Sequence, residues 1–394
     1  MRLERGDAVG LARALIRTDS RNPSLVPGGP GEGHVAAVLR GVLDAWGFRV
    51  ELQEVAPGRP NVVARIGTPG PHALMFNGHL DVVGVDGMTH APFAADERDG
   101  RLYGRGSSDM KAGVAAMCAA AALAADGLTH GEVVVAGVVD EEFESRGTRA
   151  LVAAGIRADA AVVTEPTGLA IMPAHRGFVW VDLVFHGRAA HGSRWDLGVD
   201  AIRHAGLVLA ELDAFDADEL PRRSHPLLGH PSVHASLIAG GSGMSTYPDR
   251  CELKIERRTI PGETPAQVMA EVEAICARVR ARRPALRVDA RLSLAQSPSD
   301  VPTDAPIVRA LRDALEHQAI DVRTEGMSAW TDCAVLNEAG IPAVCFGPGD
   351  MSLAHAHEEY VETEQIRRAA AVLERLARGW CGGATNGVEA PWRN

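Results

Sequence analysis

The chain reads as an α/β protein carrying a second, inserted α+β layer, and three observations predict this. At 394 residues it exceeds what one ordinary hydrophobic core organises, so two domains are expected, one of them split by an insertion. Over roughly the first 170 residues, helical periodicities are followed by short, wholly apolar strand runs, the pattern of a mostly parallel mixed sheet flanked by helices. From about residue 172 the runs alternate instead, in the order strand, helix, strand, strand, helix, strand, which is that of a ferredoxin-like split βαβ layer. The expected boundaries are 1–174 and 290–394 for the discontinuous α/β domain and 175–289 for the insertion.

Composition narrows the function. The chain is 46% hydrophobic and 23% charged, as globular proteins are, and its net charge of -11 with no basic stripe argues against a nucleic-acid surface. The six cysteines, Cys118, Cys251, Cys276, Cys333, Cys345 and Cys381, stand singly, which indicates neither a zinc knuckle nor a disulfide framework and fits a cytoplasmic protein. The N-terminal residues lack an apolar signal core, and no run is expected to reach the ~20 apolar residues of a membrane span. Residues 114–125, rich in alanine, come closest and read as a buried helix.

Taken in order, residues 5–17 show helical periodicity that should stop near Ser20-Arg21-Asn22-Pro23, because proline biases its predecessor away from helix. A loop at Pro27-Gly28-Gly29-Pro30-Gly31 leads to a second helix ending near Gly47, then to strands at 48–54, 61–66 and Ala73–Val83. The last of these presents His79 and Asp81, which share a face if the strand continues, since positions two apart point the same way. A carboxylate there could take the proton of one ring nitrogen and leave the other for a metal. Such triplets are also common without one.

The glycine-punctuated turn Gly104–Gly113 lacks the spacing of a phosphate loop, and Asp109 within it could cap the following helix or serve as a ligand. The apolar strand Val133–Val139 ends in Asp140-Glu141-Glu142, and the shorter Ala160–Val163 ends in Thr164-Glu165. Four strand or strand-to-helix ends therefore carry His79, Asp109, the Glu141/Glu142 pair and Glu165. Ligands of open α/β sheets bind beyond the carboxyl ends of strands, so this coincidence points to a divalent-cation site.

Within the insertion, strands are expected at 178–187, 232–239, 250–258 and 286–293, with helices at 201–212 and 264–281. The chain then returns through a helix at 304–317, a loop at 326–332, a helix to Ala339 and the strand Pro342–Gly347. Ala354-His355-Ala356-His357 precedes a last helix at 363–378, and the Gly, Asn and Pro content after 381 suggests a frayed tail.

These residues resemble the M20 metallopeptidases and deacylases, the family of acetylornithine deacetylase, succinyl-diaminopimelate desuccinylase and glutamate carboxypeptidase. The matching elements are Asn77-Gly78-His79-Leu80-Asp81, Gly104-Arg105-Gly106-Ser107-Ser108-Asp109-Met110-Lys111, Asp140-Glu141-Glu142, Thr164-Glu165-Pro166, Ala190-His191-Gly192-Ser193, and Ala354-His355 with Glu359-Tyr360-Val361. They follow the family's order and span nearly the whole chain.

The resemblance implies a zinc-peptidase-like catalytic domain holding two divalent ions, Zn2+ foremost with Co2+ or Mn2+ as alternatives. Asp109 would bridge the ions, His79 and Glu165 would complete one set of ligands, and Glu142 and His355 the other. Glu141 would be the general base, and the ions would acidify a shared water and polarise the scissile carbonyl. Asp81 would orient His79. A cis peptide is implied between Asp109 and Met110.

Only the family match orders the adjacent Glu141 and Glu142, and it prefers His355 to His357 as the ligand. The insertion would be a lid that dimerises, with His191 stabilising the oxyanion in cis or across the dimer. Arg258 would hold a substrate carboxylate; as neighbours on a strand, Arg257 and Arg258 cannot both face the site. The family's asparagine before Val-x-Pro is replaced by Ser245 in Gly240–Pro248, and Trp195 stands where proline is frequent, so substrate class is not transferable from one relative. The implied activity is hydrolysis of N-acyl amino acids. Carboxypeptidase or dipeptidase action is the alternative on the same metals, and a metal-retaining binding protein without catalysis is the alternative from another class.

Overall fold

The computed structural model describes residues 3–382, so the tail expectation lies outside the described residues from 383 onward. The chain divides into two compact units. One comprises the residues up to Pro173, Val301–Glu325 and those from Thr331; the other comprises Ala174–Asp300 and Gly326–Trp330.

In chain order the first unit opens with α1 (Ala8–Ile16), α2 (Gly33–Ala45), β1 (Arg49–Ala56), β2 (Arg59–Gly67) and β3 (His72–His79). A hairpin of β4 (Asp96–Arg98) and β5 (Arg101–Tyr103) precedes α3 (Ala112–Ala124), β6 (Gly131–Val138), α4 (Arg146–Ala153), β7 (Ala160–Val163) and β8 (Ile171–His175). The second unit supplies β9 (Gly177–His186), α5 (Ala201–Asp218), β10 (Ser232–Gly240), β11 (Arg250–Thr259), α6 (Pro265–Arg282), β12 (Arg287–Gln296) and β13 (Ser299–Asp300). The chain returns through α7 (Pro306–His317), β14 (Thr324–Met327), α8 (Cys333–Glu338), β15 (Ala343–Cys345), β16 (Tyr360–Glu362) and α9 (Thr363–Cys381).

The main sheet of the first unit runs β1-β2-β6-β3-β7-β15-β8. Its middle, β6-β3-β7-β15, is parallel, and β1, β2 and β8 pair antiparallel at the margins. Parallel strands covered on both faces need apolar side chains on both, which is why Val133–Val135 and Leu74–Phe76 are buried without alternation. The helical stretch Ser107–Gly127 reaches 21 residues and is apolar enough to cross a membrane, contrary to expectation, yet its apolar window is 78% buried inside the fold. Gly113 permits its close approach to the end of β7: a Cβ there would lie 1.9 Å from the Thr164 carbonyl oxygen.

One expectation fails at β3. The strand ends at His79 rather than Val83, because the chain changes partners. Leu80 still donates to Val138 of β6, but Val82 pairs with the Ser20–Asn22 segment, its amide donating to Ser20 and its carbonyl accepting from Asn22. His79 and Asp81 are therefore not neighbours on one strand face. The Asp109–Met110 peptide is cis.

The second unit is a four-stranded antiparallel sheet in the order β10-β11-β9-β12, with the ferredoxin-like arrangement of its α+β layer. Alternate residues of β9 (Val179, Val181, Leu183, Phe185) and β11 (Leu253, Ile255) bury against Val208 and Leu212 of α5 and Val272 and Ile275 of α6. Because β12 pairs along most of β9, this unit extends to Asp300 rather than ending at 289.

Candidate metal centre

The strand ends converge. His79 Nε2 lies 2.9 Å from Asp109 Oδ1 and 3.9 Å from Glu141 Oε2. His355 Nε2 lies 3.0 Å from Glu142 Oε2 and 3.4 Å from Asp109 Oδ2. Asp109 thus offers one oxygen to each histidine. Among the described residues, the ligand atoms of His79, Glu141 and Glu165 lie within 4.8 Å of one another, as do those of His79, Asp109 and Glu142. His79, Asp109 and Glu165 are buried, while the His355 side chain is 53% exposed. His357 turns elsewhere, packing against Gly87, where a Cβ would meet its ring.

The orientation of His79 differs from expectation. Its Nδ1 lies 2.9 Å from the main-chain carbonyl of Asp81 and 3.7 Å from the nearer Asp81 carboxylate oxygen. A carbonyl only accepts, so Nδ1 carries the proton and Nε2 is left to face the acids. The Asp81 carboxylate instead accepts the main-chain amides of Glu141 and Glu142, each at 3.2 Å, and so holds the acidic loop. That loop turns at Asp140, whose φ of 65° brings Glu141 and Glu142 off the end of β6.

The electrostatics are those of a cation site. Burial, opposed by His79 and reinforced by Glu165, pushes the Glu141 carboxyl well above its ordinary range. Burial and the charge of Asp109 do the same to Glu165. Burial works against the imidazolium of His79, yet Asp109 and the charges of Glu141 and Glu165 outweigh it and hold its pKa well up. Hydrogen bonds that His355 gives to Asp109 and Glu142 raise it to about 10. Burial likewise opposes the charge of Asp109, but the bonds from both histidines prevail and its pKa is lowered. Protons and imidazolium charge here do what a divalent ion does for clustered carboxylates. Glu142 Oε1 is buried and has no hydrogen-bond partner, an orphaned acceptor beside a histidine. An imidazole-and-carboxylate donor set of this kind fits borderline divalent metals.

Two positioning groups had no assigned role in the sequence reading. Glu359 accepts the amides of Gly106 (3.0 Å), Ser108 (2.9 Å) and Asp109 (3.1 Å) and the Arg105 guanidinium (2.6 Å). It thereby does the capping that Asp109 could have done, and frees the Asp109 side chain for the histidines. Asp332 accepts from Thr148 at 2.7 Å, which in turn accepts from Asn77 at 3.0 Å, and burial pushes its carboxyl up to about 6. The signal for Glu359 was its place in a matched motif; for Asp332 only its position in a loop was readable.

The remaining predicted residues belong to the second unit. His191 bridges to Thr246, and Gly192 donates to the Ser245 carbonyl at 2.7 Å, so the His191 and Ser245 loops lie side by side. The Nδ1 of His191 sits 2.8 Å from Ser193 Oγ. Arg257 is buried on the helix-covered face of β11 with Glu263, whereas Arg258 lies on the opposite face, paired with Glu256 and stacked over Phe178. Trp195 is 80% exposed.

Comparison with known proteins places this geometry. Residues 75–379 match the family model "Peptidase family M20/M25/M40". The chain is 33% identical over 350 residues to acetylornithine deacetylase of Myxococcus xanthus, covering 86% of this chain and 90% of that protein. It is 28% identical over 408 residues, 95% of each, to N-formyl-4-amino-5-aminomethyl-2-methylpyrimidine deformylase of Bacillus subtilis (strain 168). In fold it is similar to a tripeptidase of Staphylococcus aureus, with TM-score 0.79, 18% identity and coverage of 97% of this chain and 100% of that one. It is also similar to a dinuclear metal binding peptidase from the M20 family of Bacillus subtilis, with TM-score 0.72, 16% identity and coverage of 94% and 96%. With most of its length inside the family model, the chain belongs to peptidase family M20/M25/M40 and is a metal-dependent hydrolase of that family.

Proposed function

We propose that the chain hydrolyses the amide of N-acyl amino acids, releasing a carboxylate and an amine, with two zinc ions as its cofactor. The observation that carries this reading is the division of the two Asp109 oxygens between His79 and His355, which suits a carboxylate shared by two ions. His79 and Glu165 would hold one ion and Glu142 and His355 the other. The three ligand carboxylates offset three of the four positive charges. The chemistry such ions would supply there is to acidify a water and polarise the carbonyl under attack.

The resemblance to the family assigns Glu141, rather than the adjacent Glu142, as the base. Glu141 takes the proton of the attacking water and delivers it to the nitrogen of the leaving amine, so one carboxylate serves both halves of the reaction. Asp81 acts on the same reaction through the loop: its carboxylate fixes the main chain from which Glu141 and Glu142 diverge. The deacylation reading is supported by two relatives, a deacetylase and a deformylase, whose names both describe removal of an acyl group, in the second from an N-formyl compound. Arg258, on the open face of β11, is assigned to a substrate carboxylate, with Ser245 and His191 on neighbouring loops as substrate and oxyanion contacts. A homodimer through the second unit is supported by Leu237 and Ile238, 64% and 52% exposed on β10 at the sheet edge. Six buried cysteines, none of them in a disulfide, support a cytoplasmic location.

The test pairs Glu141→Ala with a substrate screen. The variant should keep its metal content and fold while kcat falls about 10²- to 10⁴-fold; full activity would remove Glu141 from the mechanism. Zinc-, cobalt- and manganese-loaded protein should be assayed on N-acetyl, N-formyl, N-succinyl and N-carbamoyl amino acids and on dipeptides. Preference for dipeptides would favour a peptidase, and no hydrolysis at all would favour a metal-retaining binding protein.

A further inference from the structure

Behind the acidic loop lies a buried polar cluster that the reaction above does not use. Asn22, with no exposed surface, comes from the loop after α1, and its main-chain amide donates to the Val82 carbonyl at 2.9 Å. Its side-chain Nδ2 donates to Asp81 Oδ2 at 2.8 Å and to Asp140 Oδ1 at 3.1 Å. Its Oδ1 accepts from the Ser24 amide at 2.9 Å and from Arg59 Nη2 at 3.2 Å. An asparagine side chain has two hydrogens to give and two lone pairs to receive with, and all four are engaged here. Arg59 closes the cluster from the other side, bonding Asp140 Oδ1 at 3.0 Å and Glu32 at 2.6 Å, while the Asp140 amide donates to Glu32 at 3.1 Å.

We propose that Asn22 is a positioning residue of the metal centre: its amide clamps Asp81 to Asp140 and thereby sets the main-chain orientation from which Glu141 and Glu142 diverge. It touches no ligand atom and no reacting atom. Its effect travels by two short routes. Through Asp81 it reaches the Glu141 and Glu142 amides that the carboxylate accepts. Through Asp140 it fixes the left-handed turn that precedes them. Asp81 and Asp140 are both fully buried, and although Arg59 balances the charge of Asp140, it is the Asn22 amide that bonds both carboxylates and fixes their separation. Asp81 also gives its carbonyl to His79 Nδ1, so the same clamp restrains a second ligand.

This inference rests on the metal-dependent reading, and the test separates the two. Zinc affinity is measured on metal-free protein by competition with a chromophoric chelator, for wild type, Asn22→Ala, Asp81→Asn and the double variant. Thermal midpoints are recorded without metal. Asn22→Ala should weaken zinc binding about 10- to 100-fold, the usual cost of losing a group that orients ligands. On whichever N-acyl amino acid wild type hydrolyses, kcat should fall by about the same factor while KM moves less than about 3-fold. In the Asp81→Asn background, Asn22→Ala should add less than about a 3-fold further loss, since its main route is already cut. Asn22→Ser, whose short hydroxyl cannot reach both carboxylates, carries the same expectation if the alanine variant fails to fold. A lowered thermal midpoint with zinc affinity within twofold of wild type overturns the inference, because it leaves Asn22 only a structural part. Losses that multiply in full in the double variant overturn it too. Wild type that binds no zinc overturns the metal reading and this inference together.

Discussion

Replacing Glu359 with alanine should loosen the turn that presents Asp109 while leaving the rest of the sheet intact. Glu359 and its partner Arg105 are 0% and 3% exposed, and the carboxylate accepts three consecutive-turn amides besides the guanidinium. Breaking a buried ion pair by removing one partner costs about 3–5 kcal/mol, because the other charge stays buried and unpaired. The orphaned amides add about 1 kcal/mol or more each unless water enters to reach them. Allowing for that entry, a local loss of about 3 kcal/mol is expected, which corresponds to a ~10²-fold faster opening of the 104–113 segment. Hydrogen exchange followed by mass spectrometry reads this directly. Peptides covering 104–113 should lose protection in the Glu359→Ala protein, while peptides from β6 and β7 should not. Glu359→Gln keeps one acceptor oxygen and the side-chain shape, so its loss should fall between wild type and alanine. Unchanged protection at 104–113 in Glu359→Ala would refute the view that this carboxylate holds the Asp109 turn.

Gly113→Ala should cost at least about 2 kcal/mol, since the new methyl would meet a main-chain carbonyl at 1.9 Å that no side-chain rotation can relieve; chemical denaturation near wild type would show that α3 has room to shift. In the second unit, burial lowers the pKa of His175 from 6.5 to about 4, so the unfolded chain binds more protons between those values and stability should be full above pH 6.5, falling as pH drops toward 4. That contribution is about 3 kcal/mol, and thermal midpoints of His175→Phe should therefore decline less than wild type over the window; parallel profiles would refute it. Arg257→Met should destabilise the second unit by about 1–3 kcal/mol by removing the buried partner of Glu263, which keeps Arg223 at 2.7 Å and the Ile260 amide at 3.0 Å, whereas Arg258→Ala should leave stability within about 0.5 kcal/mol and raise KM for carboxylate-bearing substrates. A KM unmoved by Arg258→Ala would take that residue out of substrate binding.

Much of this protein was legible because its signals are local. Apolar runs without alternation marked β6 and β7 as interior parallel strands, alternation marked β9, and the acids left at the strand ends stood out against the apolar runs they interrupt. Where the reading went astray, the cause was a change of hydrogen-bonding partner. Nothing in His79-Leu80-Asp81 announces that the chain leaves β6 at Leu80 and pairs with Ser20–Asn22 instead.

The amino-acid order by itself therefore determined the kinds of chemistry present: which strands lie inside, which ends carry histidine and carboxylate, and that six motifs follow one family's order. Tertiary structure alone decided which atom does what. It gave Nδ1 of His79 to a carbonyl rather than a carboxylate, turned the Asp81 carboxylate toward the Glu141 and Glu142 amides, assigned the capping of the Asp109 turn to Glu359, and put Asn22 between Asp81 and Asp140. The physical reason is range. Burial and periodicity repeat every two to four residues and can be read along the chain, but a hydrogen bond joins whichever groups the packing leaves within about 3 Å, and around the Asp109 turn those groups are separated by as many as 254 residues.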